Sequence, residues 1–296
     1  MIPGPYVTVP EFTAYPTYLD LDDLRTGDTS PADQAAQLTD LLLIASAWAD
    51  SYCEQPLRAH VYTQQQRTRP DRYGNLKLHA DHSPIVSVTS LAYGYTPTAL
   101  TTVSPLTDVW IEDGRQMVYP LSGAVGPWSG SLQFGAPVAG QELFISWVYL
   151  AAFASTVLTS ATQAGDSSIT VDDPIGIVAG GQYRIWDPGA EETVTVSPSY
   201  TPPVPAVPAT ATSISLAAPA QKAHTAGAGW SGMPPDIHQA VINYATALLM
   251  RPDNAREDAF PDTRYGSGTR QADSRQDGSG LVDEAERLLE PFRRVR

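Results

Sequence analysis

The chain has 296 residues and sets 18 Lys and Arg against 32 Asp and Glu, for a formal charge of −14 and a pI near 4.6. That balance excludes an ordinary nucleic-acid reader, which needs a basic face to replace phosphate counterions, but not a surface that DNA passes without being held. Cys53 is the only cysteine, so an internal disulfide and a four-thiolate metal site are excluded; no run approaches the ~18 apolar residues of a membrane span. The opening MIPGPYVTVPEF lacks the basic and apolar regions of a signal peptide.

In chain order, residues 1–17 are punctuated by proline and read as an extended arm. Tyr18–Leu24 reads as one short helix before a Thr26-Gly27-Asp28 turn. Its aspartates do not make an EF-hand loop: with Asp20 first, Arg25 stands where glycine is required. The stretch from Ser30 to Leu57 is the clearest helix. Ser30 is the N-cap, Pro31 the first helical residue and Asp33 the capping-box position. Leu38, Leu41, Leu42, Ala45, Trp48, Ala49 and Tyr52 recur at spacings of three and four, and Pro56 stops the helix. Its best partner is the second apolar stripe of Met233–Met250, formed by Ile237, Ala240, Val241, Tyr244, Ala245, Leu248 and Leu249 and ended by Pro252. The two chain ends therefore close one small helical core, with the remainder inserted between them.

The inserted part has period two. Val61–Thr68, Leu76–His79, Ile85–Ala92, Val109–Glu112, Gln116–Tyr119, Ser131–Phe134 and Leu143–Tyr149 read as antiparallel strands, with Trp110, Trp128 and Trp147 as core bulk. Ala151–Thr156 is a junction. A second β block follows over Val157–Gly229, in which proline-rich Pro198–Pro208 is an exposed loop. Arg251–Gly280 is polar, and Leu281–Phe292 is a last short helix with acids early and Arg293, Arg294 and Arg296 late, as the helix dipole favours. Placed after a polar stretch, that helix docks either on its own core or on a neighbour. The fold class is α+β: a small helical core with large antiparallel β insertions. Its parts are an N-terminal arm and long helix (1–58), a β region (59–154), a β module (155–230), a core helix (231–252) and an arm with a C-terminal docking helix (253–296).

No catalytic constellation stands out. There is no phosphate loop followed by Lys-Ser or Lys-Thr, no GxSxG elbow and no HExxH. His79, Asp81 and His82 lie at a strand-to-turn position, where a spacing of three points side chains to opposite faces; a surface loop is the better reading than a metal pair. His60, His224 and His238 have no neighbours in sequence to work with. No enzyme activity, cofactor or metal is expected.

Several segments in order resemble the head–tail connector (adaptor, or head-completion) proteins of tailed bacteriophages. Leu38–Leu57 is similar to the family's first long helix with its Gln-Pro-Leu exit. RTRPDRYGNLKLHADHSPIVSVTSLAYG (Arg67–Gly94) resembles the strands that follow it, with a Gly-x-Leu-x-Leu strand and a Pro-Ile-x-x-Val-x-Ser-Leu strand. MPPDIHQAVINYATALLM (Met233–Met250) resembles the later helix, and AERLLEPFRRVR (Ala285–Arg296) the C-terminal end with its leucine pair before Pro-aromatic-Arg-Arg. The block Ala164–Gly227 is similar to a small β module that recurs in phage structural proteins. The matching segments cover about half the chain, and the large β insertions depart from the compact family members.

The resemblance implies a virion protein at the head–tail interface, made in the host cytoplasm. It would form a homo-oligomeric ring of twelve copies beneath the portal protein, bind the next neck or tail component (a stopper or tail terminator) and extend the channel through which genomic DNA passes. It implies no membrane contact. Leu281, Ala285, Leu288, Leu289, Phe292, Arg293, Arg294 and Arg296 would be the docking surface towards the portal or a neighbouring copy. The competing readings are another virion component, such as a tail or capsid-decoration protein, and an extracellular glycan-binding or hydrolytic β protein.

Overall fold

The computed structural model describes residues 4–17, 21, 30–121, 141–203, 209–258 and 279–294, with residues 251–258 and 279 described in backbone only. The expected helix at Tyr18–Leu24, the strand Ser131–Phe134, Trp128 and Arg296 fall wholly or almost wholly outside these residues. The protein is α+β and divides into two compact units, residues 59–153 and the two chain ends, 1–58 with 154–296.

The unit of the chain ends opens with α1 (Val9–Ala14), a correction to the extended arm expected there. The helix is short but well started. The Thr8 hydroxyl accepts the Glu11 amide, the Glu11 carboxylate accepts the Thr8 amide, and Pro10 sits in the first turn. Phe12 is its fully buried anchor. Next is α2 (Pro31–Cys53), begun by Ser30 as its N-cap. Leu38, Leu42, Ala45, Ala49 and Cys53 form its buried face, while Leu41, Trp48 and Tyr52 lie half-buried beside it. It ends ahead of Pro56, where Glu54 turns into the left-handed region at φ 55°.

Six short strands follow in this unit: β8 (Ser155–Val157), β9 (Ser168–Val171), β10 (Gln182–Trp186), β11 (Glu192–Thr195), β12 (Thr212–Ser215) and β13 (Gly229–Ser231). Four pair in the order β11-β10-β13-β8 and two as β12-β9. Single bridges at Leu158–Val171 and Val196–Leu216 join these sheets at both margins, so the strands close into a small antiparallel barrel. Closure removes the free edges that would otherwise invite pairing with other chains. Ile169, Val171, Ile185, Val194, Ile214 and Trp230 fill it. Tyr183 is buried there with its hydroxyl satisfied, donating to Gly176 O at 3.0 Å and accepting the Val178 amide at 2.8 Å. The expected exposed loop begins at Pro198, and its described residues, 198–203, lie outside any strand.

The chain then enters α3 (Pro235–Asp258). Pro252 does not end this helix, contrary to the expectation from sequence; the backbone continues to Asp258 without the intrahelical bond that proline removes. Ile237, Ala240, Val241, Ile242, Ala245 and Ala247 are buried, with Tyr244 and Leu248 half-buried. A final helix, α4 (Ser279–Leu289), runs into a 3-10 turn over Glu290–Phe292.

The other unit holds β1 (His60–Thr68), β2 (Asn75–His79), β3 (Ile85–Thr96), β4 (Ala99–Thr102), β5 (Trp110–Glu112), β6 (Gln116–Pro120) and β7 (Leu143–Ala151). They form antiparallel sheets in the orders β1-β7-β3-β4 and β2-β6-β5. The ladder from β1 to β7 is unbroken, from His60 opposite Ala151 to Thr68 opposite Leu143. Leu76, Leu78, Met117, Leu143, Ile145 and Trp147 make the core between the sheets. Trp147 fills the role expected of it, but Trp110 does not: it is 43% exposed on β5, whose pairing among the described residues is with β6 alone, and its indole N–H donates to Glu112 Oε1 at 3.2 Å.

Candidate assembly site

The expected docking residues lie on α4 and the turn after it, and α4 is seated on this chain's own α2 and α3. Ala285 and Leu289 are fully buried, Leu281, Leu288 and Phe292 half-buried, and Arg293 exposed. The spacing of four between Ala285 and Leu289, with Leu288 beside them, gives one apolar stripe on an otherwise charged helix. Polar contacts fasten its end. The Arg294 amide donates to Cys53 O at 2.8 Å, Gln55 Nε2 donates to Phe292 O at 2.7 Å, and the Tyr52 hydroxyl donates to Glu290 Oε2 at 2.9 Å. The Arg293 guanidinium stands 5.3 Å from the centre of the Tyr52 ring. Cys53 is buried under Leu289, with its thiol 3.9 Å from Leu289 O; burial first, and the charge of Asp50 second, push its pKa up to about 12. It is thus a packing residue rather than a reactive thiol. Beside this seat Trp48 of α2 stacks on Tyr244 of α3 at 3.9 Å with the rings within 4° of parallel.

The N-terminal arm is tied to the same helices by two buried polar lines. In the first, the Tyr6 amide donates to Ser46 Oγ at 3.0 Å and the Tyr6 hydroxyl to Asp50 Oδ1 at 2.6 Å, where the Leu57 amide also donates at 2.9 Å. Burial raises the pKa of Tyr6, and the Asp50 charge raises it further. Burial also raises the pKa of Asp50, against the opposing pull of the Tyr6 hydroxyl, the Leu57 amide and Arg58.

In the second line, Glu11 Oε1 lies 2.7 Å from His238 Nδ1, and His238 Nε2 lies 3.3 Å from Ser231 Oγ. The imidazole stacks on Trp186 at 4.5 Å. The connectivity is that of a carboxylate–histidine–serine relay, which no sequence spacing reveals because Glu11 and His238 stand 227 positions apart. Its serine is not placed to attack a substrate. Ser231 is 3% exposed, and its oxygen already accepts the Met233 amide at 3.0 Å. A cleft of about 230 Å³ beside it is lined by Glu11, Tyr15, Trp186 and His238, not by Ser231. The line works as a clip between α1, β13 and α3.

His224 is the other buried histidine, with Nε2 2.8 Å from Glu192 Oε1 in the barrel. The Asp187 carboxylate nearby is occupied by the Thr225 amide and hydroxyl. Among the described residues no group of three or more His, Cys, Asp or Glu is arranged to hold a metal ion. His79 and His82 do not meet as a metal pair: His82 stacks on Tyr62 at 3.9 Å, while His79 is exposed. Among the described residues no helix is long and apolar enough to cross a membrane.

No protein-family model matches the chain, and no curated protein matches it in sequence. Among solved structures it is similar to a chain in the neck of an empty GTA particle, computed with C6 symmetry. The match has a TM-score of 0.33 and 13% identity, over 98% of this chain and 94% of that one. A likeness that distant fixes no feature of this protein.

Proposed function

We propose that the protein is a structural component of a tailed-phage virion: a ring-forming connector between the portal and the next neck or tail component, extending the channel for the genome. The reading rests on the ordered run of connector-like segments in the sequence, and the single observation that carries it is the C-terminal helix. Two buried residues of α4, Ala285 and Leu289, and a few terminal hydrogen bonds hold it to the chain's own helices. Residues 259–278 connect it to α3. The role is structural: the one serine–histidine–carboxylate line among the described residues buries its hydroxyl.

Negative-stain imaging of the protein mixed with its portal, beside each alone, tests the reading. An added ring on the narrow end of the portal is expected, and its loss on deleting residues 281–296 would assign the docking to α4. Absence of added density with the full chain would overturn the reading and move attention to the β barrel as a decoration or tail module.

A further inference from the structure

The charge of this chain is divided unevenly. Of its 18 cationic and 32 acidic residues, five and six fall in residues 59–153, leaving 13 and 26 in the other unit; nearly all of the −14 therefore sits on the chain-end unit. Within residues 59–153 the cations are concentrated. Arg67, Arg69, Arg72 and Lys77 lie on the β1–β2 segment, which leaves the end of β1 and passes through a turn into β2 of the other sheet; all four are exposed, and Asp71 is the one acid among them. Among the described residues none of the four has a carboxylate within 4.0 Å.

The segment is also held ready. Asp71 Oδ1 accepts the amides of Tyr73 at 2.8 Å and Asn75 at 2.9 Å, which fixes the turn. Burial, the largest single influence, pushes the Asp71 carboxyl up, but those two amides, the Asn75 side chain and the Lys77 charge together keep it below its usual range, so the turn is held at neutral pH. The Arg67 guanidinium lies 4.5 Å from the Phe144 ring, and that of Arg72 lies 4.7 Å from the ring of Tyr73, which is 70% exposed. Arginines braced on aromatic rings lose less freedom when they bind.

We propose that this β1–β2 segment is one half of a head-to-tail contact between copies, seating against the acidic chain-end unit of the next chain. The proposal rests on the ring-forming reading above and names a surface that makes the ring. A ring needs a heterologous contact, in which two different surfaces of the same chain meet, and a basic segment with an acidic unit supplies two such surfaces. Nucleic acid is the weaker partner, because a chain of net charge −14 repels a polyanion as a whole.

The test uses the full chain in sedimentation velocity at about 50 mM and about 500 mM salt, bracketing the range over which screening removes such a contact. Wild type is expected to self-associate at low salt and to weaken about tenfold or more at high salt. The triple variant Arg67→Glu, Arg69→Glu, Arg72→Glu is expected to be monomeric in both. Because it keeps the acidic side, it should also cap and shorten wild-type assemblies when mixed in. The double variant Arg69→Gln, Arg72→Gln, which leaves the Arg67–Phe144 contact in place, should weaken association in the same direction. Wild type that stays monomeric at both salts, or variants that assemble as wild type does, would overturn the proposal. So would a variant that assembles normally and loses only its retention on duplex DNA, which would make the segment a nucleic-acid surface. Variants that still form the ring on the portal defeat this proposal alone, whereas wild type that forms no ring there defeats the connector reading.

Discussion

Asp50 shows how a single residue can tie the N-terminal arm to the helical core and leave a pH signature. Its carboxylate takes the Tyr6 hydroxyl and the Leu57 amide, yet burial still raises its pKa above the ordinary aspartate value of 3.8. The folded chain therefore holds this proton more tightly than the unfolded one. Stability from this group rises as pH falls through the window between the raised value and 3.8, and is lost as pH rises through it. Asp50→Asn removes the titration but keeps an acceptor for Tyr6. Melting wild type and variant from about pH 7 down to about pH 4 should show the difference, wild type minus variant, growing toward acid; a flat difference would show that Asp50 is not the responsible group. The clip at His238 makes a second residue-scale prediction. Glu11→Gln leaves His238 without its carboxylate and should cost about 1–3 kcal/mol in denaturant unfolding, whereas Glu284→Gln, at a half-exposed side chain, should be close to neutral. The helical stripes were legible at this scale: Leu38, Leu42, Ala45, Ala49, Ile237 and Val241 are all buried, because a period of 3.6 is written locally. The partners Tyr6–Asp50 and Glu11–His238 were not, because they meet only through tertiary folding across 44 and 227 positions.

At the scale of elements, the C-terminal helix is the one whose attachment matters most to the proposed role. Leu289 is fully buried while Arg293 is exposed at the turn that follows. Leu289→Ala should cost about 2–5 kcal/mol if α4 unfolds together with the core. Arg293→Ala should cost under about 1 kcal/mol, since its ion pairs with Glu54 and Glu290 are solvent-exposed. Hydrogen exchange separates two outcomes: amides of α4 that exchange as slowly as those of α2 mean a helix integral to the core, and faster exchange at α4 alone means one that detaches by itself, as a docking segment must. The long strands β1, β3 and β7 were legible in sequence through their period-two pattern. The three- and four-residue strands β4, β8 and β13 were not, because so short a run carries no readable alternation and owes its state to the neighbours it pairs with. The capping box of α1 was present in the letters as Thr8 and Glu11, but the surrounding prolines read as extended chain; Pro10 in the first helical turn in fact starts the helix.

For the whole molecule, the division into two units sets a test that no single residue can. The chain leaves the chain-end unit after Arg58 and returns at Ala154. The intervening unit begins and ends at adjacent points, since the Ala59 amide donates to Phe153 O at 2.7 Å. It has its own core, in which Leu76, Leu78, Leu91, Leu143 and Trp147 are fully buried, and the barrel of the chain-end unit has another around Trp230 and Ile185. Two cores and closely spaced ends are the conditions under which an inserted unit can be removed. Residues 59–153 expressed alone should unfold cooperatively, and so should the remainder with a short Gly-Ser turn joining Arg58 to Ala154. The isolated insert should show a β-type circular dichroism spectrum, the joined remainder a strong helical signal. If the remainder collapses without its insert, the units are one folding body and the sequence-level reading of a closed core with insertions is wrong. If both fold, the joined remainder also bears on the ring contact, because it lacks the basic β1–β2 segment but keeps the acidic side. It should then fail to self-associate at low salt and should bind full-length chains only as a terminal cap. A remainder that still assembles by itself would place the contact between copies within the helices and barrel, away from the β1–β2 segment.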